Sequence, residues 1–88
     1  MKKNHGVTVF TMPHCPACIN LKKWLMKENI TFTEKDIIKD LKAQKEFEDQ
    51  GLKYTPTIFI ENGEETHKFI GSPIKELEKI LLLESSSQ

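Results

Sequence analysis

The strongest constraint on this chain is a stretch of eight residues, Thr11-Met12-Pro13-His14-Cys15-Pro16-Ala17-Cys18, which carries both cysteines where a β-type run gives way to a helical one. Before it, Gly6-Val7-Thr8-Val9-Phe10 is β-branched and aromatic, the composition of a strand. After it, Ile19 to Glu28 is rich in good helix formers and closes with Asn29. Cys15 therefore falls at or just before the first helical turn, and Pro16 suits the first helical position, where no N–H is needed. A thiol placed there meets free N–H groups and the positive end of the helix dipole, both of which favour its ionised form. Cys18 lies nearly one turn further, on the same face and within reach for ring closure. This is the arrangement of an attacking thiol and its resolving partner. Zinc sites use the same spacing, but the strand-to-helix junction favours redox chemistry.

The 88 residues allow one small domain spanning 1–88 with a modest core. Thirteen basic residues balance thirteen acidic ones, so there is no electrostatic footprint for nucleic acid or a membrane surface. The opening Met1-Lys2-Lys3-Asn4-His5 is basic, but the apolar stretch behind it is too short for a signal peptide, and nothing approaches a transmembrane length. A cytoplasmic protein is the expectation. Two close cysteines are there more often redox-active or metal-bound than structural.

In chain order, residues 1–5 read as a frayed start and Val7 to Thr11 as a central strand covered on both faces. The first helix carries Leu21, Trp24 and Leu25 at i, i+3, i+4, opposite Lys22, Lys23 and Lys27. Trp24 shares that apolar stripe, which favours core packing over a docking role. Ile30 to Asp36 reads as a second strand, parallel to the first because a helix connects them. Asp40 to Gln50 reads as a charged helix with Leu41, Ala43 and Phe47 as its sparse apolar contacts, stopped by Gly51. Tyr54 to Glu61 comes next, with Pro56 at the start of the third strand, since a proline inside a central strand would break the ladder. Asn62-Gly63 signals a hairpin, and Glu65 to Phe69 returns antiparallel. After Gly71, Ser72 suits an N-cap, with Pro73 at the first helical position and Glu76 in the first turn. Ile74, Leu77, Ile80 and Leu81 form the stripe of a last helix, and residues 84–88 a polar, disordered tail.

The order βαβ-α-ββα, with CxxC after the first strand and Thr55-Pro56 before the third, resembles the thioredoxin-like α/β fold: a four-stranded mixed sheet flanked by helices. Size and spacing resemble its glutaredoxin branch. Cys15-Pro16-Ala17-Cys18 is similar to the dithiol glutaredoxin site, which usually has an aromatic where Ala17 stands. Thr55-Pro56 and Phe69-Ile70-Gly71 resemble that family's proline and glycine elements. The resemblance implies a thiol–disulfide oxidoreductase with Cys15 as nucleophile and Cys18 as resolving thiol. It implies a cis bond at Thr55-Pro56, with the Thr55 backbone pairing to a bound thiol peptide. Met12, His14, Pro16, Tyr54, Gly71 and Ser72 would complete the substrate surface.

Two departures concern glutathione, the family's usual co-substrate. Met12 stands where glutathione-using members carry a lysine or arginine. Gly71-Ser72-Pro73-Ile74-Lys75 has one glycine and no acid where they carry a Gly-Gly pair and acidic residues. Ser72 and the helix start remain as N–H donors for a carboxylate. In this respect the chain is similar to the glutaredoxin-like redoxins that serve ribonucleotide reductase and draw electrons from thioredoxin reductase. The expected partners are a disulfide-containing protein and either glutathione or a reductase as donor. No bound cofactor, no metal and a monomeric state are expected.

The alternative reading is a metal- or iron–sulfur-cluster module using Cys15. A zinc site needs four ligands, and the only added candidates, His5, His14 and His67, show no recognised spacing. His14 precedes the nucleophile and would stabilise its thiolate when protonated. His5 and His67 read as surface histidines.

Overall fold

The computed structural model describes residues 6–83, so the expectations for the first five residues and for the tail at 84–88 lie outside the described part. Strand β1 (Gly6–Thr11) leads into helix α1 (Pro16–Lys27), strand β2 (Thr33–Asp36) and helix α2 (Leu41–Asp49). Strands β3 (Thr57–Asn62) and β4 (Glu65–Ile70) follow. Helix α3 (Ile74–Leu77) then continues with π-type bonding over Glu78–Leu83. The sheet order is β2-β1-β3-β4, with β1 and β2 parallel and the other pairs antiparallel. This is the α/β, thioredoxin-like architecture anticipated from the element order.

Strand β1 is covered on both faces, as its unbroken apolar run requires. Val7 and Val9 join Leu21, Leu25, Ile58, Ile60, Leu77 and Leu81 in a core under α1 and α3, with Trp24, Ile74 and Ile80 packed against it. Phe10 points to the opposite face, where Ile37, Ala43 and Phe47 bury it under α2. Each such large apolar side chain contributes about 1.5–3 kcal/mol on leaving water. Leu41 is a correction: it is 77% exposed. It precedes Ala43 by two positions, which puts it on the far side of a helix whose Ala43 and Phe47 face inward.

Helices α1 and α2 end in the same motif. After α1, Asn29 adopts φ 60°; its N–H donates to Met26 O at 3.1 Å and that of Ile30 to Leu25 O at 2.9 Å. After α2, Gly51 takes φ 72°, with matching bonds from Gly51 to Glu48 O and from Leu52 to Phe47 O, both 3.0 Å. This is the left-handed cap with its following apolar contact. It explains why β2 begins at Thr33 rather than Ile30: Ile30 is spent closing α1 and packing against the core. The hairpin differs by one position. Asn62 pairs with Glu65, so the two loop residues are Gly63 and Glu64, with Gly63 at φ 69° supplying the turn.

Candidate functional site

Three segments far apart in sequence meet at the end of the sheet where β1 and β2 finish and β3 starts. Cys15 is the N-cap of α1, in extended conformation at φ −111°, and Pro16 opens the helix as expected. The Sγ of Cys15 accepts the N–H of Cys18 at 3.2 Å. The two cysteines are joined as a disulfide, with Cα atoms 5.2 Å apart. Their exposure is unequal: Cys15 is partly exposed, whereas Cys18 is 1% exposed. Solvent therefore meets Cys15 far more than Cys18.

The second segment is Tyr54-Thr55-Pro56-Thr57. The Thr55–Pro56 peptide is cis, and Thr55 Oγ1 lies 3.9 Å from Cys15 Sγ. Thr57 Oγ1 donates to Tyr54 O at 2.6 Å, folding these residues into a turn. Strand β3 begins at Thr57, one residue after the expected Pro56, which has no N–H for the ladder. Tyr54 is 63% exposed and is held here through its carbonyl. The third segment is Gly71-Ser72. The Gly71 N–H donates to Pro56 O, and Ser72 Oγ donates to Ala17 O, each at 2.8 Å. Ser72 is thus not an N-cap: Pro73 occupies that position and no side chain caps α3. The hydroxyl has a better-placed acceptor across the fold.

On the other side of the dithiol lies a cleft of about 440 Å³, lined by Met12, Pro13, His14, Cys18, Ile19, Lys22, Glu34, Asp36 and Lys39. Met12 and His14 belong to this side of the site. His14 takes φ 60°, a left-handed backbone that histidine tolerates better than most residues. The charged lining of this cleft was not singled out from the sequence. Parallel register sets Glu34 beside Val9, on the face shared with Thr11. The buried Thr11 hydroxyl donates to Glu34 Oε2 at 2.8 Å, and Lys22 Nζ bonds the same oxygen at 2.7 Å. The Lys22 bond, with Thr11 also contributing, holds the Glu34 carboxyl below its ordinary range against the opposing effect of burial. Asp36 is lowered too, chiefly by the Lys39 N–H and also by that of Ile38, donated to Oδ1 at 3.0 and 2.9 Å. Among the described residues, no three His, Cys, Asp or Glu side chains converge on a metal position. No described helix is long and apolar enough to cross a membrane.

The family model for glutaredoxin matches residues 7–65, from the first strand to the turn between β3 and β4. The chain belongs to the glutaredoxin family. Relatives of this glutaredoxin include glutaredoxin 1 of Rickettsia conorii, 33% identical over 61 residues that make up 66% of this chain and 60% of that one. Its counterpart in Rickettsia felis is 31% identical over the same shares, so the match spans about 60% of the curated relatives' length. Among solved structures, the thioredoxin-like protein BC3987 superposes with TM-score 0.72 at 30% identity, covering 85% of this chain and 99% of that one. NrdH-redoxin of Escherichia coli, described as a glutaredoxin-like protein with a thioredoxin-like activity profile, superposes at TM-score 0.66. It covers 84% of this glutaredoxin and 92% of that protein, and at 16% identity it shares the fold.

Proposed function

We propose that this glutaredoxin reduces protein disulfides by a dithiol cycle. The observation that carries the reading is the inequality of the two cysteines: Cys15 is accessible at a helix N-terminus with an N–H on its sulfur, while Cys18 is buried and bonded to it. The reduced Cys15 thiolate attacks one sulfur of a substrate disulfide, expelling the other as a thiolate that takes up a proton. Cys18 loses its proton and attacks Cys15 Sγ, releasing the second substrate thiol and closing the Cys15–Cys18 disulfide. Two electrons and two protons pass to the substrate, and an external donor returns them. The exposed side chains of Met12, Tyr54 and Ile70 would flank the approaching chain. The Thr55 backbone would pair with it as an added strand does. A dithiol that must be reduced again each cycle fits a reducing compartment such as the cytoplasm.

For the electron donor, we favour a reductase over glutathione. Met12 offers no cation to a carboxylate, and the Ser72 hydroxyl proton is already given to Ala17 O. The test is re-reduction of the oxidised protein by glutathione, or by thioredoxin reductase with NADPH. Recovery with the reductase alone supports the assignment, and equally fast recovery with glutathione overturns this choice of donor. Protein-disulfide reduction should vanish in Cys15→Ser, whereas Cys18→Ser should accumulate a mixed disulfide on Cys15, read by intact mass. A Cys15→Ser protein with full reductase activity would sink the proposed cycle.

A further inference from the structure

The hydrogen bond from Ser72 reaches one particular peptide unit. Its acceptor is Ala17 O, 55 residues away in sequence. The carbonyl of Ala17 and the N–H of Cys18 belong to the same amide, and that N–H donates to Cys15 Sγ at 3.2 Å. Hydrogen bonds in series polarise one another: an amide whose oxygen accepts a bond becomes a stronger donor at its nitrogen. The sulfur at the end of this relay carries the negative charge in the reduced protein, and bonds to charged acceptors are the ones that gain most.

We infer that Ser72 is a positioning residue for the thiol chemistry, acting through the Ala17–Cys18 peptide to stabilise the Cys15 thiolate. The inference rests on the reading of Cys15 as the attacking thiol. Ser72 is well placed for this role because its neighbour is anchored as well. The Gly71 N–H donates to Pro56 O, and Gly71 holds φ 87°, a left-handed backbone suited to glycine. Ile74 N–H closes the turn on Ser72 O at 2.8 Å. The hydroxyl is thus carried on a backbone tied at both sides, so its bond to Ala17 O costs little additional ordering. Through Gly71 and Ser72, the cis-proline turn and the redox turn are held by one short piece of chain.

The sign follows from which form gains. A thiolate stabilised by a stronger N–H lowers the pKa of Cys15 and favours the reduced dithiol over the disulfide. Removing the hydroxyl raises that pKa and makes the protein more reducing. Taking the relay as 10–30% of a charge-assisted bond at the strong end of its range, the rise in Ser72→Ala is roughly 0.2–0.6 unit.

The test follows the rate of alkylation by iodoacetamide against pH in the reduced protein, for wild type, Ser72→Ala and Ser72→Thr, with the labelled cysteine identified by mass. Ser72→Gly replaces Ser72→Ala in the same assay if that variant does not fold. The expected result is labelling at Cys15, a pKa raised by roughly 0.2–0.6 unit in Ser72→Ala and a wild-type value in Ser72→Thr, which keeps a hydroxyl. The equilibrium with a reference dithiol should shift toward the oxidised protein in Ser72→Ala alone. A change below about 0.2 unit, a fall, or an equal rise in Ser72→Thr overturns the inference while leaving Cys15 as nucleophile. Labelling at Cys18 instead overturns the assignment of the nucleophile, and the inference with it. A role confined to stability would lower the melting temperature and leave the alkylation profile unmoved.

Discussion

At the scale of single residues, the cleft side of the site has a pH signature. Glu34 is held below its ordinary value of 4.5, first by the Lys22 bond and then by Thr11. A carboxyl with a depressed folded-state pKa contributes stability above its unfolded pKa and loses it as pH falls through the folded value. Asp36, lowered from 3.8, acts in the same direction. Denaturant unfolding across pH 7 to 2 should therefore show stability falling as pH drops below about 4.5, with a shallower fall in Glu34→Gln. An unchanged slope in that variant would contradict the assigned role. Removing the hydroxyl in Thr11→Val should cost about 1 kcal/mol and move the Glu34 titration upward, read by NMR. These residues also mark what the sequence withheld. Cys15, Pro16 and Pro56 were legible because their constraints are covalent or local: a spacing, a missing N–H, a ring. Glu34 acquires its partners only when parallel register sets β2 beside β1, and Ser72 only when the chain returns to α1.

At the scale of elements, caps account for most of the differences between expectation and structure. Asp40 was read at the start of its helix and is its N-cap, accepting from Lys42 N at 3.0 Å and Ala43 N at 3.5 Å. Asp40→Ala should destabilise by about 1 kcal/mol in urea unfolding, with the alkylation rate of Cys15 unaffected. Gly51 at the other end has open space where a Cβ would stand, so its substitution tests backbone strain without a clash. Gly51→Ala should cost about 1 kcal/mol after the gain from a stiffer unfolded chain is set against it. Ser72 shows the opposite case, an N-cap residue by type and position whose hydroxyl found a partner elsewhere. Local preference is a weak term, and tertiary contact decided it.

At the scale of the whole molecule, strand β1 separates two cores that share no side chain, one under α1 and α3 and one under α2. Truncations in each should cost similar amounts. Leu25→Ala and Phe47→Ala are expected to lose about 2–5 kcal/mol apiece by denaturant titration, and to add when combined, being separated by the sheet. The fold was legible at this scale because element order and the two-faced burial of β1 leave few topologies. The assembly of 15, 55 and 72 into one site followed only from the family resemblance and not from any local pattern, since it depends on where β1, β3 and β4 end or begin in space. The short spacing of the cysteines bears on all of this. A bridge between residues only three apart closes so small a ring that it removes little freedom from an unfolded chain, about 2 kcal/mol. It is a poor staple. Neither core cluster counts a cysteine among its residues, so opening the bridge in the proposed cycle should take no packing contact from either.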